Sequence, residues 1–148
     1  MQLATSLTQH GAEQISHSSK GGRFDIKGIT HIISTTIDFE SYDAATNAMI
    51  SVIKPSWISS SLAKMKMANP RLHSPDPKLF FSGFMVHIAD LPENDKNAII
   101  GGLEAMGGIY ASAISRQVTH IVALTLEPDA CKIAISKSLN VKIVLPHW

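Results

Sequence analysis

One cysteine, Cys131, occurs in 148 residues, so no internal disulfide can form and the class of small disulfide-stapled secreted domains is excluded. Aromatic residues make up only 6% of the chain. Charge is balanced, with thirteen Lys and Arg against twelve Asp and Glu and a formal net charge of +1. Such a balance lacks the basic face with which a protein grips a phosphate backbone. Neither half is a charged arm: residues 1–78 hold eight basic and six acidic side chains, residues 79–148 five and six. No run approaches the roughly eighteen apolar residues of a membrane span. The opening MQLATSLTQHGAEQ has neither the basic start nor the apolar core of a secretory signal. What is present is a globular composition, 45% hydrophobic, long enough for one ordinary domain or two small ones. A soluble chain of the cytosol or nucleus is expected.

The chain writes one pattern twice. VIKPSW at residues 52–57 returns as IVLPHW at residues 143–148. Upstream, ITHIIS carries Thr30 and His31, and VTHIVA carries Thr119 and His120. The tryptophans lie 91 residues apart and the Thr-His pairs 89 apart, so the two copies keep almost the same length over that span. Further upstream, Gly11 and Ala12 follow the helical spacing of Leu3 and Leu7, as Gly107 and Gly108 follow Ile99, Ile100, Leu103 and Met106. The polar stretch ISHSSKGGRFDIKG makes the first copy about seven residues longer and reads as a loop insertion.

IIGGLEAMGG has apolar residues at i, i+3 and i+4 and then a glycine pair, which predicts an amphipathic helix with a left-handed cap. THIVAL and THIIST are short β-branched runs of the kind that fill a parallel sheet buried on both faces. PDACKIAISKSLN predicts a helix burying Cys131, Ile135 and Leu139 and stopping at Asn140. Pro55 and Pro146 follow strands, where a fixed φ and a missing N–H help the chain turn into a helix. Trp57 begins an apolar stripe continued by Leu62 and Met65, while Ser59, Ser60 and Ser61 are expected on that helix's exposed side. LFFSGFMVHIADLP supplies the second copy's first strand, and MANPRLHSPDPK, with three prolines, reads as a stiff linker.

The ordered set of glycine pair, Thr-His strand and strand–Pro-x-Trp corner, met twice, resembles a tandem of BRCT modules. It is most similar to the N-terminal repeats of fungal multi-BRCT scaffolds. The resemblance implies an α/β fold of two three-layer modules, each a small parallel four-stranded sheet flanked by helices. Residues 1–66 would form the first module without its first strand, 67–78 the linker, and 79–148 the second module without its closing helix. A natural protein longer at both ends is therefore expected. The implied work is that of a nuclear, non-enzymatic scaffold in the DNA-damage response and replication-fork repair. It would dock phosphorylated or acidic peptide motifs of repair and fork proteins, with no cofactor, metal, small substrate or membrane.

In the family a hydroxyl after strand one, a neighbouring backbone N–H and a lysine opening helix two hold the phosphate. The lysine-to-tryptophan spacing of sixteen lands on Lys132, while Ala89 and Asp90 stand where the hydroxyl and glycine belong. A carboxylate there repels phosphate, and Lys132 reads first as a solvated residue in a helix's first turn and only second as a ligand for phosphate or an acidic peptide. The same count from Trp57 gives Ser41. Among the seven histidines none pairs at i, i+4 or stands beside the cysteine, so His31 and His120 read as strand-start residues bonded to nearby backbone. The glycine pairs fit no phosphate loop, and Ser74-Pro75 reads as a turn before it reads as a phosphorylation target. Two other readings stay open: a BRCT appendage of a larger repair enzyme such as a ligase or polymerase, and a DNA-end-binding module.

Overall fold

The apolar runs of the second half form its central strands. Met85–Ile88 (β3) and His120–Val122 (β5) pair in parallel, with Ile109–Tyr110 (β4) outside β3 and Lys142–Val144 (β6) outside β5. The computed structural model describes residues 2–15 and 24–148, which divide into two compact units, Met1–Pro77 and Lys78–Trp148. In unit 2 the sheet order β4-β3-β5-β6 is that of a parallel α/β layer, with helices Glu93–Ala105 (α4) and Asp129–Ser136 (α5) as crossovers. Period-two alternation sends strand residues to two cores. Val86, Ile88 and Val122 pack with Leu103 of α4, whereas Ala89, Ile121 and Ala123 pack with Cys131 and Ala134 of α5.

Unit 1 contains Gln2–Gln9 (α1), His31–Ile33 (β1), Tyr42–Asn47 (α2), Ser51–Ile53 (β2) and Ser56–Ala63 (α3). Strands β1 and β2 pair in parallel with His31 opposite Ser51, as His120 stands opposite Lys142 in unit 2. A sheet of only two strands is found among the described residues, against the expectation of a four-stranded one short of its first strand. In unit 2, β4 bonds to β3 alone, and unit 1 has no described counterpart of β3 on which such a strand could form. Most of the expected insertion, residues 16–23, lies outside the described residues.

All five described α-helices end in one way. The residue after the last turn is left-handed, and its N–H and the next one close on the helix's last carbonyls: Gly11 (φ 84), Met49 (57), Met65 (49), Gly107 (89) and Ser138 (47). The caps expected at Gly11 and Gly107 are present. The one at Ser138 corrects the expected stop at Asn140, and α5 turns Cys131 and Ala134 inward while Ile135 is 57% exposed. Gly108 is required by closeness, because a Cβ there would lie 2.3 Å from Leu103 Cδ1. At the other end of unit 2, residues 79–83 are turn rather than strand, and Phe81 and Phe84 pack beside the α4-side core.

The proline-bearing segment 67–78 is not free-standing. A 3-10 turn, Pro70–His73, lies on unit 1, where Lys54 N–H donates to the His73 carbonyl (2.7 Å) and the Tyr42 hydroxyl to Asp76 Oδ2 (3.0 Å). Leu62 joins the Ile53–Trp57–Ile58–Ala68 core, but Met65 does not. The chain reverses after Lys64, and that reversal lets the Ala68 carbonyl meet the Trp57 indole.

Candidate functional site

Each unit builds a corner from the repeated residues. In unit 1 the His31 imidazole stacks on the Trp57 indole, with centroids 5.0 Å apart and planes at 25°. In unit 2 His120 stacks on Trp148 at 4.9 Å and 21°. His31 Nδ1 lies 3.0 Å from Thr30 Oγ1, and His120 Nδ1 2.9 Å from Thr119 Oγ1. The Thr119 hydroxyl donates to the Met85 carbonyl and accepts from the Met85 N–H, both at 3.0 Å. These two histidines therefore use a threonine hydroxyl and an indole face, not the backbone bond expected. Backbone bonding occurs instead at His87, 2.8 Å from the Ala111 carbonyl. Burial and then the charge of Lys142 lower the His120 pKa, which keeps the stacked ring neutral near pH 7.

The corners differ in finish. Trp57 is 6% exposed and donates its indole N–H to the Ala68 carbonyl at 2.7 Å. Ser61 Oγ, expected in solvent, donates to the Trp57 carbonyl and accepts from Ala68 N–H. Pro55 caps α3 as expected of a strand-to-helix turn. After Pro146 the chain makes a turn, in which Trp148 N–H donates to the Leu145 carbonyl. Trp148 is 58% exposed, with Phe81 and Phe84 each 5.9 Å from it.

The candidate phosphate residues gather at the carboxyl edge of the unit 2 sheet. Ala89 is buried, its N–H bonded to the Val122 carbonyl and its methyl in the α5-side core. Asp90 takes a left-handed φ of 46 and aims its carboxylate at the β5–α5 loop. Oδ1 accepts the Leu124 N–H at 3.1 Å, and Oδ2 accepts the Thr125 hydroxyl at 3.4 Å. Lys132, in the first turn of α5, pairs with Glu127 of the same loop at 3.0 Å; both side chains are largely solvated. An anion of the chain itself already holds the edge's donors. Beneath it the Cys131 thiol is fully buried and its pKa is raised by burial and then by Asp90, so it is no nucleophile.

At the equivalent position of unit 1, Ser41 is buried and its hydroxyl clamps Phe24, donating to the carbonyl (3.1 Å) and accepting from the N–H (3.0 Å). This position is structural. Among the described residues no group of three His, Cys, Asp or Glu side chains could hold a metal. Lys132 lies in the first turn of α5, and Ala89 and Asp90 directly follow β3; Asp90's engagement of the loop donors was not foreseen. The signal for it was present: an acid directly after a strand, facing a Leu-Thr loop.

The family model described as the BRCA1 C Terminus (BRCT) domain matches residues 76–148. PAX-interacting protein 1 of Bos taurus is 26% identical over 120 residues, covering 80% of this chain and 12% of the relative. Two crystal structures of yeast Rtt107 are similar. The one with Mms22 gives a TM-score of 0.59 at 23% identity over 84% of this chain and 27% of that chain. The one with Slx4 gives 0.58 at 20% identity, over 80% and 27%. The chain spans about an eighth of the curated relative and about a quarter of the solved chains. With the sheet order β4-β3-β5-β6, its two crossover helices and this match over residues 76–148, unit 2 belongs to the BRCT family.

Proposed function

We propose that the chain is a non-enzymatic docking module of a nuclear scaffold serving the DNA-damage response and replication-fork repair, with unit 1 as a second, divergent BRCT module. It would hold partner proteins through anionic peptide motifs. The yeast Rtt107 structures were solved with Mms22 and with Slx4, which supports protein partners as the class of ligand. The matching His–Trp stacks and strand registers support the tandem.

The observation that carries the reading most is the Asp90 carboxylate on the Leu124 N–H and Thr125 hydroxyl. The sheet edge is built as a binding corner but is filled from within. Phosphate therefore gains little over carboxylate there, and we read recognition as anionic in character rather than dependent on phosphate. A paired library of phosphorylated and plain acidic peptides, screened on the whole chain, tests this. Binding of both forms with similar affinity is expected. Asp90→Gly keeps a residue suited to positive φ, frees the donors, and should raise affinity for the phosphorylated members about tenfold. Failure of every peptide to bind would remove the docking function. A strong preference of the parent chain for phosphate would show that Asp90 does not close the corner.

A further inference from the structure

From residue 44 to residue 75 the chain contains no Asp or Glu, yet Lys54, Lys64, Lys66 and Arg71 fall within it. All four are exposed. Lys54 lies beside the 3-10 turn that carries Arg71, its N–H bonded to the His73 carbonyl, and Lys64 and Lys66 follow at the end of α3. The fields of Lys54 and Lys64 both reach His73, whose ring also meets Ser56 Oγ at 3.0 Å. Lys54, Lys64 and Lys66 form no ion pair among the described residues. At the centre runs Lys64-Met65-Lys66-Met67, alternating cation and thioether.

This loop is held, not loose. Lys64 and Lys66 close the last turn of α3 through the Ser60 and Ser61 carbonyls. Beyond Met67, Ala68 is fastened by its N–H to Ser61 Oγ (2.9 Å) and by its carbonyl to the Trp57 indole (2.7 Å). Yet Met65 is 82% and Met67 73% exposed, and Met65 occupies a left-handed conformation that glycine or asparagine adopts more readily. A fixed loop that holds two flexible thioethers in water, alternating with lysines that form no ion pair among the described residues, has the chemistry of a contact surface.

We infer that the Lys64–Met67 loop of unit 1, with Lys54 and Arg71 beside it, docks an acidic peptide segment that also carries apolar side chains. The lysines would take the carboxylates, and the methionines would cover leucine- or phenylalanine-sized groups between them. A peptide fits better than a nucleic acid: four cations in a chain of net charge +1 make a weak grip on a duplex, and thioethers gain nothing from a phosphate backbone. The inference rests on the peptide-docking reading and moves the anion contact away from the self-filled corner at Asp90.

Fluorescence anisotropy on the whole chain tests it, with a labelled peptide of alternating Glu and Leu, its Gln-Leu counterpart, and a short labelled duplex DNA. The Glu-Leu peptide should bind about tenfold tighter than the Gln-Leu one, and added salt should weaken it. Lys64→Glu with Lys66→Glu should erase that preference. Met65→Gly should weaken binding several-fold without lowering the melting temperature, because glycine suits the left-handed cap; a merely structural residue would not separate the two readouts. If library peptides bind and depend on Lys132 but not on these residues, docking stands and this surface is wrong. The same holds if library peptides bind while the Glu-Leu peptide does not. Duplex DNA binding through the same lysines, indifferent to Met65→Gly, also overturns the proposal. If no peptide of any kind binds, the docking reading itself falls, and this surface with it.

Discussion

Two indoles in equivalent corners carry unequal loads. Trp57 is 6% exposed and its indole N–H is bonded, whereas the Trp148 side chain is 58% exposed and makes only ring contacts, with His120, Phe81 and Phe84, among the described contacts. Truncating a fully packed aromatic costs about 3–5 kcal/mol, because the transfer energy and the cavity add. Removing Trp57 also strips the Ala68 carbonyl of its partner. Trp57→Ala should therefore destabilise unit 1 by about that amount, while Trp148→Ala loses chiefly a stacking contact worth about 1 kcal/mol. Thermal melts followed by circular dichroism check this. Equal shifts for the two variants would mean that the indoles do not differ as their burial says.

Among the elements, helix ends decide the shape of each unit. The α4 cap brings Gly108 so near Leu103 that an added Cβ would meet the leucine side chain at 2.3 Å and the leucine carbonyl at 3.1 Å. The side chain could rotate; the carbonyl belongs to the helix and cannot. Gly108→Ala should cost about 1–3 kcal/mol, the range of overpacking, read as a lower urea midpoint with unchanged slope. A midpoint equal to the parent's would show that the helix end yields.

At this scale the sequence was legible where period and punctuation agree. The glycine caps, the β-branched strand β5 and the Pro55 corner lie where their residues imply, whereas β1 is not buried on both faces, Ile33 being exposed. It was misleading where tertiary contacts override local pattern. Met65 continues an apolar stripe on paper, but the indole N–H of Trp57 needs the Ala68 carbonyl, and the chain must reverse before the stripe can continue. The buried face of α5 runs through Cys131 and Ala134, three residues apart, and Ile135 stands outside it. The site was legible only as a set of positions. Lys132 and Asp90 could be counted to, but nothing local says that a carboxylate will turn onto Leu124. The basic loop of unit 1 was hidden by an even overall charge, although the lack of any acid over residues 44–75 marks it once sought.

Across the whole molecule, one titration is written into both units. His73 in unit 1 has its pKa lowered by burial, then by Lys64 and Lys54; His120 in unit 2 has it lowered by burial, then by Lys142. Each native ring resists a proton that the unfolded chain accepts near the ordinary value of about 6.5. Between the depressed native values and 6.5 the unfolded state binds more protons, so stability rises with pH through that window and is fully present above it. As pH falls from 7.5 to 5.5, both units should lose stability. The loss comes first from burial, which disfavours the charged ring, and then from the neighbouring lysines. Melting temperatures at the two pH values measure it. Replacing both residues, His73→Gln with His120→Gln, should lower stability at pH 7.5 but shrink the difference between pH 7.5 and 5.5. A double variant that keeps the full difference would assign the acid sensitivity to other groups.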